Sequence, residues 1–221
     1  MARRLARRAE PEVMDDAQEA AAYAQADFAD VNQAFVERLL ELVGPAASVT
    51  ALDLGTGPCD IPVRLRRARP GWRIVAVEAS CAMVAFARPA AQRASVCLLL
   101  ADAKRLPCAA CAFDVIFSNS ILHHLTEVDA FWGEVRRVAR PGAFVLLRDL
   151  ARPASAGVAR RIVARYAAHE SILLQEEYYR SLLSAYTPAE VRVQLRRNRL
   201  GNLRVAMVSD RHLDVFGRVE E

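Results

Sequence analysis

The chain has 221 residues, 53% of them hydrophobic and 25% charged, and carries a formal net charge of +4. Length and composition suit one globular domain and exclude a disordered chain, and no apolar run reaches the roughly 20 residues that span a bilayer. The charge does not favour a nucleic-acid partner, because of the 30 basic residues only Lys104 is lysine and the chain is also crowded with alanine, as a GC-rich coding sequence would produce.

From the N-terminus, MARRLARRAE is basic but lacks the apolar stretch of a secretory signal. Glu10, Glu12, Asp15 and Asp16 break the acid-poor pattern of a mitochondrial presequence. Residues 1–9 therefore read as a mobile basic tail, and the protein as cytoplasmic. Residues 12–43 read as helical throughout, with Phe28, Val31, Phe35, Leu39 and Leu42 near one face. Beyond them, apolar runs of strand length at 49–54, 73–77, 96–100, 114–118 and 143–147 alternate with helical patterns at 60–69, 80–93 and 127–139. That alternation, with Val, Ile and Leu in unbroken runs, predicts a mostly parallel sheet buried on both faces. Asp60 and Ser80 are expected as N-caps, and Pro70-Gly71 and Pro141-Gly142 as helix stops that introduce strands.

Residues 154–199 are again largely helical, with Thr187-Pro188 opening a new helix. Two final strand-like runs, 203–209 and 213–219, flank Asp210-Arg211-His212 at hairpin spacing. No repeat or linker divides the chain. The five cysteines are an odd count, which argues for reduced thiols. Cys108-Ala-Ala-Cys111 has no second pair or nearby histidine to complete a zinc site.

The chemistry concentrates at strand ends. VTALDLGTGPCD runs from a buried strand through Asp53 into Gly55-Thr56-Gly57 and a helix start near Asp60. The glycines let the backbone turn sharply and lie against a ligand. A dinucleotide fingerprint would place a third glycine where Asp60 stands, and that carboxylate would repel a pyrophosphate. Glu78 ends the second predicted strand, placed to hold both hydroxyls of an adenosine ribose. Asp102, in LLLADAKRLP, follows the third and suits an exocyclic adenine amine.

With LDLGTGPCD, VAVEAS, LADAKRLP and FDVIFSNSILHHL in this order, residues 49–150 resemble the class I S-adenosyl-L-methionine (SAM)-dependent methyltransferases, especially the small-molecule type. YAQADFADVNQAFVERLL and SLLSAYTPAEV resemble that family's cap and C-terminal parts less specifically. Thr56 and Pro58 depart modestly from the residues common there. The resemblance implies a Rossmann-like three-layer α/β sandwich, with a mostly parallel seven-stranded sheet whose last strand is antiparallel. It also implies one domain, divided into residues 1–43 as tail and helical cap, 49–150 as SAM-binding core, and 151–221 as helical cover and hairpin. Asp53, Gly55, Thr56, Gly57, Asp60, Glu78, Ala79, Met83, Asp102, Ala103 and Asn119 become the expected cofactor-binding residues. A SAM sulfonium and ammonium tolerate the acids that a phosphate would not.

FDVIFSNSILHH closes the fourth strand with Asn119, expected against the cofactor and acceptor, and then gives His123 and His124. A methyl transfer to a protonated nucleophile needs a base, and either histidine is a candidate. Both are expected at the start of the following helix, where adjacent side chains diverge by about 100°, so only one would face the pocket. No cysteine or acid near them in the sequence completes a metal-ligand set, and no metal is expected. The stretch lacks the prolines and aromatic of the N/D-P-P-Y/F pattern. Tyr23, Phe28, Asp149 and Tyr178 are further candidates for the acceptor pocket, followed by Arg148, Tyr179, Arg180, Arg152 and Arg211. His169 and His212 read as surface or capping residues.

The leading expectation is thus transfer of a methyl group from SAM to a small-molecule acceptor, without a membrane or nucleic-acid partner. The alternatives are a non-catalytic binding protein on the same fold and, drawing on net charge alone, an RNA methyltransferase.

Overall fold

The computed structural model describes residues 5–11, 13 and 15–220. The chain orders as helices α1 (Ala17–Gln25) and α2 (Ala29–Val43), then β1 (Thr50–Leu54), α3 (Asp60–Ala68), β2 (Arg73–Glu78), α4 (Cys81–Ala94), β3 (Cys97–Leu100) and β4 (Phe113–Asn119). A 3-10 turn (Leu122–His124) leads to α5 (Val128–Val138), β5 (Ala139–Leu150), α6 (Ala156–Tyr166), α7 (Ile172–Ser184), α8 (Pro188–Arg197), β6 (Arg204–Met207) and β7 (His212–Arg218).

The strands form one seven-stranded sheet in the order β3-β2-β1-β4-β5-β7-β6. The first five are parallel, and β7 runs antiparallel to both β5 and β6. Strand order therefore reverses between β1 and β4, and the crevice outside the carboxyl ends there is where open α/β sheets bind ligands.

The sheet is covered on both faces because its residues alternate sides. Leu52, Leu54, Ile116, Val145 and Leu147 pack with Phe131, Trp132 and Val135 of α5 and Val191 and Leu195 of α8. Ala51, Val115, Phe117 and Leu146 pack the opposite way, onto Phe35 and Leu39 of α2, Leu65 of α3 and Ala87 and Ala91 of α4. Each fully buried Leu, Val, Ile or Phe contributes about 1.5–3 kcal/mol. A third cluster joins Leu150 to Ala159 and Ile162 of α6 and to Leu182 and Leu183 of α7, setting these helices against the carboxyl end of β5.

Local details depart from expectation in instructive ways. The helical region 12–43 breaks at residues 26–28, where Ala26 is extended and Asp27 Oδ1 accepts from Ala29 N at 3.0 Å. Within α2, Phe35 and Leu39 are buried whereas Val31 is exposed. Cys59, in the left-handed region at φ 70°, caps α3, and Asp60 is its first residue. Ser80 does cap α4, accepting from Met83 N at 3.0 Å, and Thr187 opens α8 in a capping box with Glu190.

Pro141-Gly142 is not the end of a helix: α5 stops at Val138, and both residues lie inside β5. The register jumps there from Phe113↔Ala139 to Val115↔Phe144, so the pair sits in a bulge rather than a helix-to-strand turn. The basic-tail expectation falls partly on residues 1–4, outside the described residues. The part beyond is not loose. Arg8 N donates to Leu183 O at 3.0 Å, and the Arg7 guanidinium lies 4.1 Å from the Tyr186 ring centre.

Candidate active site

Gly55, after β1, and Asn119, at the tip of β4, border a cavity of about 530 Å³. Its walls come from α1 and α2, the tips of β1, β2 and β4, the loop after β3, the 3-10 turn, α6 and α7, and the β6–β7 connection.

One wall carries most of the expected cofactor residues: Gly55, Gly57, Glu78, Ala79, Met83, Asp102, Ala103 and Asn119. The loop is held open by backbone bonds, Gly55 N and Thr56 N both donating to Val77 O, at 2.9 and 3.0 Å. Gly55 has φ 71°, and a Cβ there would lie 2.9 Å from Ile121 Cδ1. Only glycine combines that conformation with that close approach. Glu78 is fixed by three backbone donors. Its Oε2 accepts from Gly57 N at 2.8 Å, and its Oε1 accepts from Ala79 N and Ser80 N at 2.9 and 3.0 Å. Asp102 accepts from Lys104 N at 2.8 Å and pairs with Lys104 Nζ at 3.1 Å. Glu78 and Asp102 are acceptors with lone pairs to spare, a set that suits sugar hydroxyls, an amine or an ammonium and opposes a phosphate. The residues present therefore fit SAM.

Three expected cofactor residues stand off this wall. Asp53 is buried within β1, where burial, with the Glu78 charge adding to it, pushes its carboxyl up to about 7. Thr56 is buried in the loop. Asp60 ties α2 to α3, its Oδ2 accepting from Asn32 Nδ2 at 2.9 Å and from Arg64 Nε at 2.6 Å. None of the three lines the cavity; strand alternation turns Asp53 away and helix phase turns Asp60 away.

The histidines line the same cavity. Because residues 122–124 form a separate 3-10 turn, the pair is not on α5, and both imidazoles line the cavity with ring centres 4.1 Å apart. The expectation that only one could face the pocket does not hold. Asp149 lies behind the turn rather than on the wall: its Oδ1 is 2.6 Å from His123 Nδ1, and its Oδ2 accepts from Leu122 N at 2.5 Å. Burial acts to depress the His123 pKa, but the Asp149 carboxylate and its hydrogen bond, with Glu10, outweigh it and hold the pKa above its usual value. Burial likewise acts to raise the Asp149 pKa and is overcome by His123, so the carboxyl ends below its usual range.

Residues distant in sequence lock this turn. The His123 carbonyl accepts from Ser184 Oγ at 2.6 Å and from Arg7 Nη2 at 2.9 Å. Arg7 also donates to Leu125 O and Ser184 O. Glu10 reaches both imidazoles, its Oε1 lying 3.5 Å from His123 Nε2 and 3.2 Å from His124 Nδ1. The sequence assigned no site role to Arg7, in the supposed tail, to Glu10, just beyond it, or to Ser181 and Ser184 in the cover helix.

Tyr23 and Phe28 line the cavity with rings 5.0 Å apart, and Tyr178 joins them from α7. Burial pushes the phenols of Tyr23 and Tyr178 up to about 12, so both stay protonated. Arg148 and Arg211 also face the cavity, Arg148 forming a two-pronged ion pair with buried Asp214 at 2.7 and 2.9 Å. His212, expected on the surface, lines the cavity; burial and then the charges of Arg211 and Arg148 lower its pKa to about 4, so it is neutral. Arg152 instead bonds Ala185 O and Glu190, while Tyr179 and Arg180 border a different surface groove and His169 is exposed.

A parallel-sheet crevice with a glycine loop and an acid at the second strand tip defines a Rossmann-like fold whose ligand site suits SAM. Comparison with known proteins agrees. Residues 52–147 match the family model described as a methyltransferase domain. The chain is 34% identical over 112 residues to the demethylmenaquinone methyltransferase of Roseiflexus sp. (strain RS-1), covering 51% of this chain and 47% of that protein. It is 31% identical over 124 residues to the malonyl-[acyl-carrier protein] O-methyltransferase of Pectobacterium atrosepticum, covering 56% and 47%. The chain thus spans about half the length of these relatives. In fold it is similar to a SAM-dependent methyltransferase from Aquifex aeolicus, with a TM-score of 0.68, 19% identity, and coverage of 92% of this chain and 98% of that one. The family-model match spans somewhat less than half of the chain, and within it the chain is similar to SAM-dependent methyltransferases. Among the described residues no helix is long and apolar enough to cross a membrane.

Proposed function

We propose that the protein transfers a methyl group from SAM to a nucleophilic atom of a small, partly apolar acceptor by in-line displacement. The observation that carries this reading is one cavity lined both by Glu78, Asp102 and Asn119 and by the His123–His124 pair, which Asp149 backs. When bound, SAM supplies a methyl already activated by a positive sulfur, so the chain need only align the nucleophile, exclude water and manage one proton.

Gly55, Gly57, Glu78, Ala79, Met83, Asp102 and Ala103 hold the adenosine and methionine parts. Asn119 lies where cofactor meets acceptor. His123, its Nδ1 oriented by Asp149, takes the acceptor's proton at Nε2, and His124 and Glu10 share the resulting charge. Tyr23, Phe28, Val31, Leu174 and Tyr178 shape an apolar acceptor site, with Arg148 and Arg211 at its polar edge. The names of the relatives support a quinol-like hydroxyl-bearing ring or a carboxylate as the acceptor class, and the apolar wall favours the former. On this reading the enzyme is one domain acting in the cytoplasm, consistent with its five free cysteines, and needs no nucleic-acid partner.

Calorimetry tests the cofactor half: micromolar binding of SAM and S-adenosylhomocysteine is expected, and no binding of either at millimolar ligand would end the proposal. A SAM-consumption screen with hydroquinones and carboxylates tests the transfer; binding without turnover across the screen would favour a non-catalytic binding protein.

A further inference from the structure

The acid missing from the local sequence around the histidine pair is supplied by the segment before α1. Glu10 Oε1 lies 3.2 Å from His124 Nδ1 and 3.5 Å from His123 Nε2, and the three donor atoms all lie within 4.8 Å of one another. Two donors each about 2.0–2.1 Å from a tetrahedral ion are themselves about 3.3 Å apart. The spacing of the carboxylate from both imidazoles is therefore already that of ligands around one metal.

The surroundings match a built site. His123 Nδ1 is committed to Asp149 Oδ1 at 2.6 Å, so Nε2, 3.5 Å from Glu10 Oε1, is the ring nitrogen left on the Glu10 side. A carboxylate behind a histidine in this way is the usual support of a metal-bound imidazole. Glu10 is itself buried, with 7% of its side chain exposed. Its Oε2 accepts from Ser181 Oγ at 3.3 Å, while its Oε1 makes no hydrogen bond among the described residues. The His123 carbonyl is clamped by Ser184 and Arg7, so the turn that carries both imidazoles is held in place.

We infer that Glu10, His123 and His124 form a mononuclear site for a divalent transition-metal ion. Two histidines and one carboxylate leave coordination positions free, and both histidines line the cavity, so those positions open toward the acceptor side. A ligand with an anionic oxygen, such as a phenolate, enolate or carboxylate, fits them. Because it would arrive already deprotonated, His123 Nε2 would serve there as a ligand, the role of base belonging to the metal-free protein. That ligand class rests on the methyl-transfer reading; the metal site does not.

Chelator-stripped, untagged full-length protein titrated with Co²⁺ provides the test. One equivalent is expected to bind with visible absorption of a four- or five-coordinate ion, to raise the melting temperature, and to be displaced by Zn²⁺. Glu10→Gln and His124→Ala are expected to weaken Co²⁺ binding at least tenfold, and Asp149→Asn by about 10–100-fold through His123. Far-ultraviolet circular dichroism confirms that each variant folds, and His124→Ala, at a partly exposed position, keeps the test open if the buried substitutions do not. Absence of a stoichiometric Co²⁺ site, or equal binding by wild type and both ligand variants, would overturn the inference and leave the cluster a hydrogen-bonded proton relay. S-adenosylhomocysteine calorimetry on the same metal-free sample reads the cofactor site separately, so the two proposals fail independently.

Discussion

His123 Nδ1 and Asp149 Oδ1 stand 2.6 Å apart in a fully enclosed setting behind the cavity wall, the carboxylate also holding the backbone of the turn that presents the imidazole. His123 has its pKa raised above the ordinary 6.5, so its pairing stabilises fully below 6.5 and is lost as pH rises through the folded value. Asp149 is lowered below 3.8, so its contribution is present above 3.8 and is lost as pH falls through its folded value. The pair thus contributes most between pH 3.8 and 6.5. Asp149→Asn is expected to cost about 3–5 kcal/mol in that window, on the order of 10 °C in melting temperature. The deficit should narrow on both sides when melting is followed from pH 3 to 9.

Glu78 orders the glycine loop and the start of α4 through its three backbone bonds. Removing a charged acceptor costs about 1.5–3 kcal/mol per hydrogen bond. Glu78→Ala should therefore weaken SAM at least tenfold by calorimetry, with a smaller loss in Glu78→Gln.

Gly55→Ala brings two faults, a left-handed φ of 71° and a Cβ only 2.9 Å from Ile121 Cδ1. Denaturant unfolding should show a loss of about 1–3 kcal/mol. The Gly55→Ala/Ile121→Ala double variant should recover only the steric part, so a double-mutant cycle will show coupling.

Asp53 differs from Glu78 in standing off the cavity wall. With its folded pKa raised from 3.8 to about 7, stability is full below 3.8 and declines as pH rises toward 7. Asp53→Asn escapes that decline, at about 1.4 kcal/mol for each unit of the shift. Its melting temperature relative to wild type should climb between pH 4 and 8, while SAM affinity changes far less than in Glu78→Ala.

Arg7 bonds three carbonyls that frame the histidine turn. Arg7→Ala should lower stability by about 2–3 kcal/mol and depress turnover, with SAM affinity little changed because Arg7 bonds the histidine turn and α7 and none of the residues expected to hold the cofactor. Thermal melting, a SAM-consumption assay and calorimetry separate the three readouts.

The cofactor wall was legible because it is written in local chemistry. Strand ends announce themselves by apolar runs, Gly55 and Gly57 by the turn they permit, and Glu78 by its place at a strand tip. Even there, whether a side chain at a strand end faces the crevice depends on a single-residue phase, and Asp53 and Asp60 point elsewhere. The histidine wall was half legible. The pair itself stood out, but a short 3-10 turn replaced the expected helix start and brought both rings to one side.

By itself the sequence determined the alternation of strands and helices, the glycine loop and the acids at successive strand ends. Each of these depends on residues close together along the chain. Only the tertiary structure decided what stands against His123: Asp149, 26 positions away, Arg7, 116 positions away in a segment that reads as a tail, and Glu10 just beyond that segment. Such contacts have no periodicity or spacing to betray them, because they come from where the folded sheet and its cover helices place distant backbone. The chemistry of the second wall is therefore a property of packing.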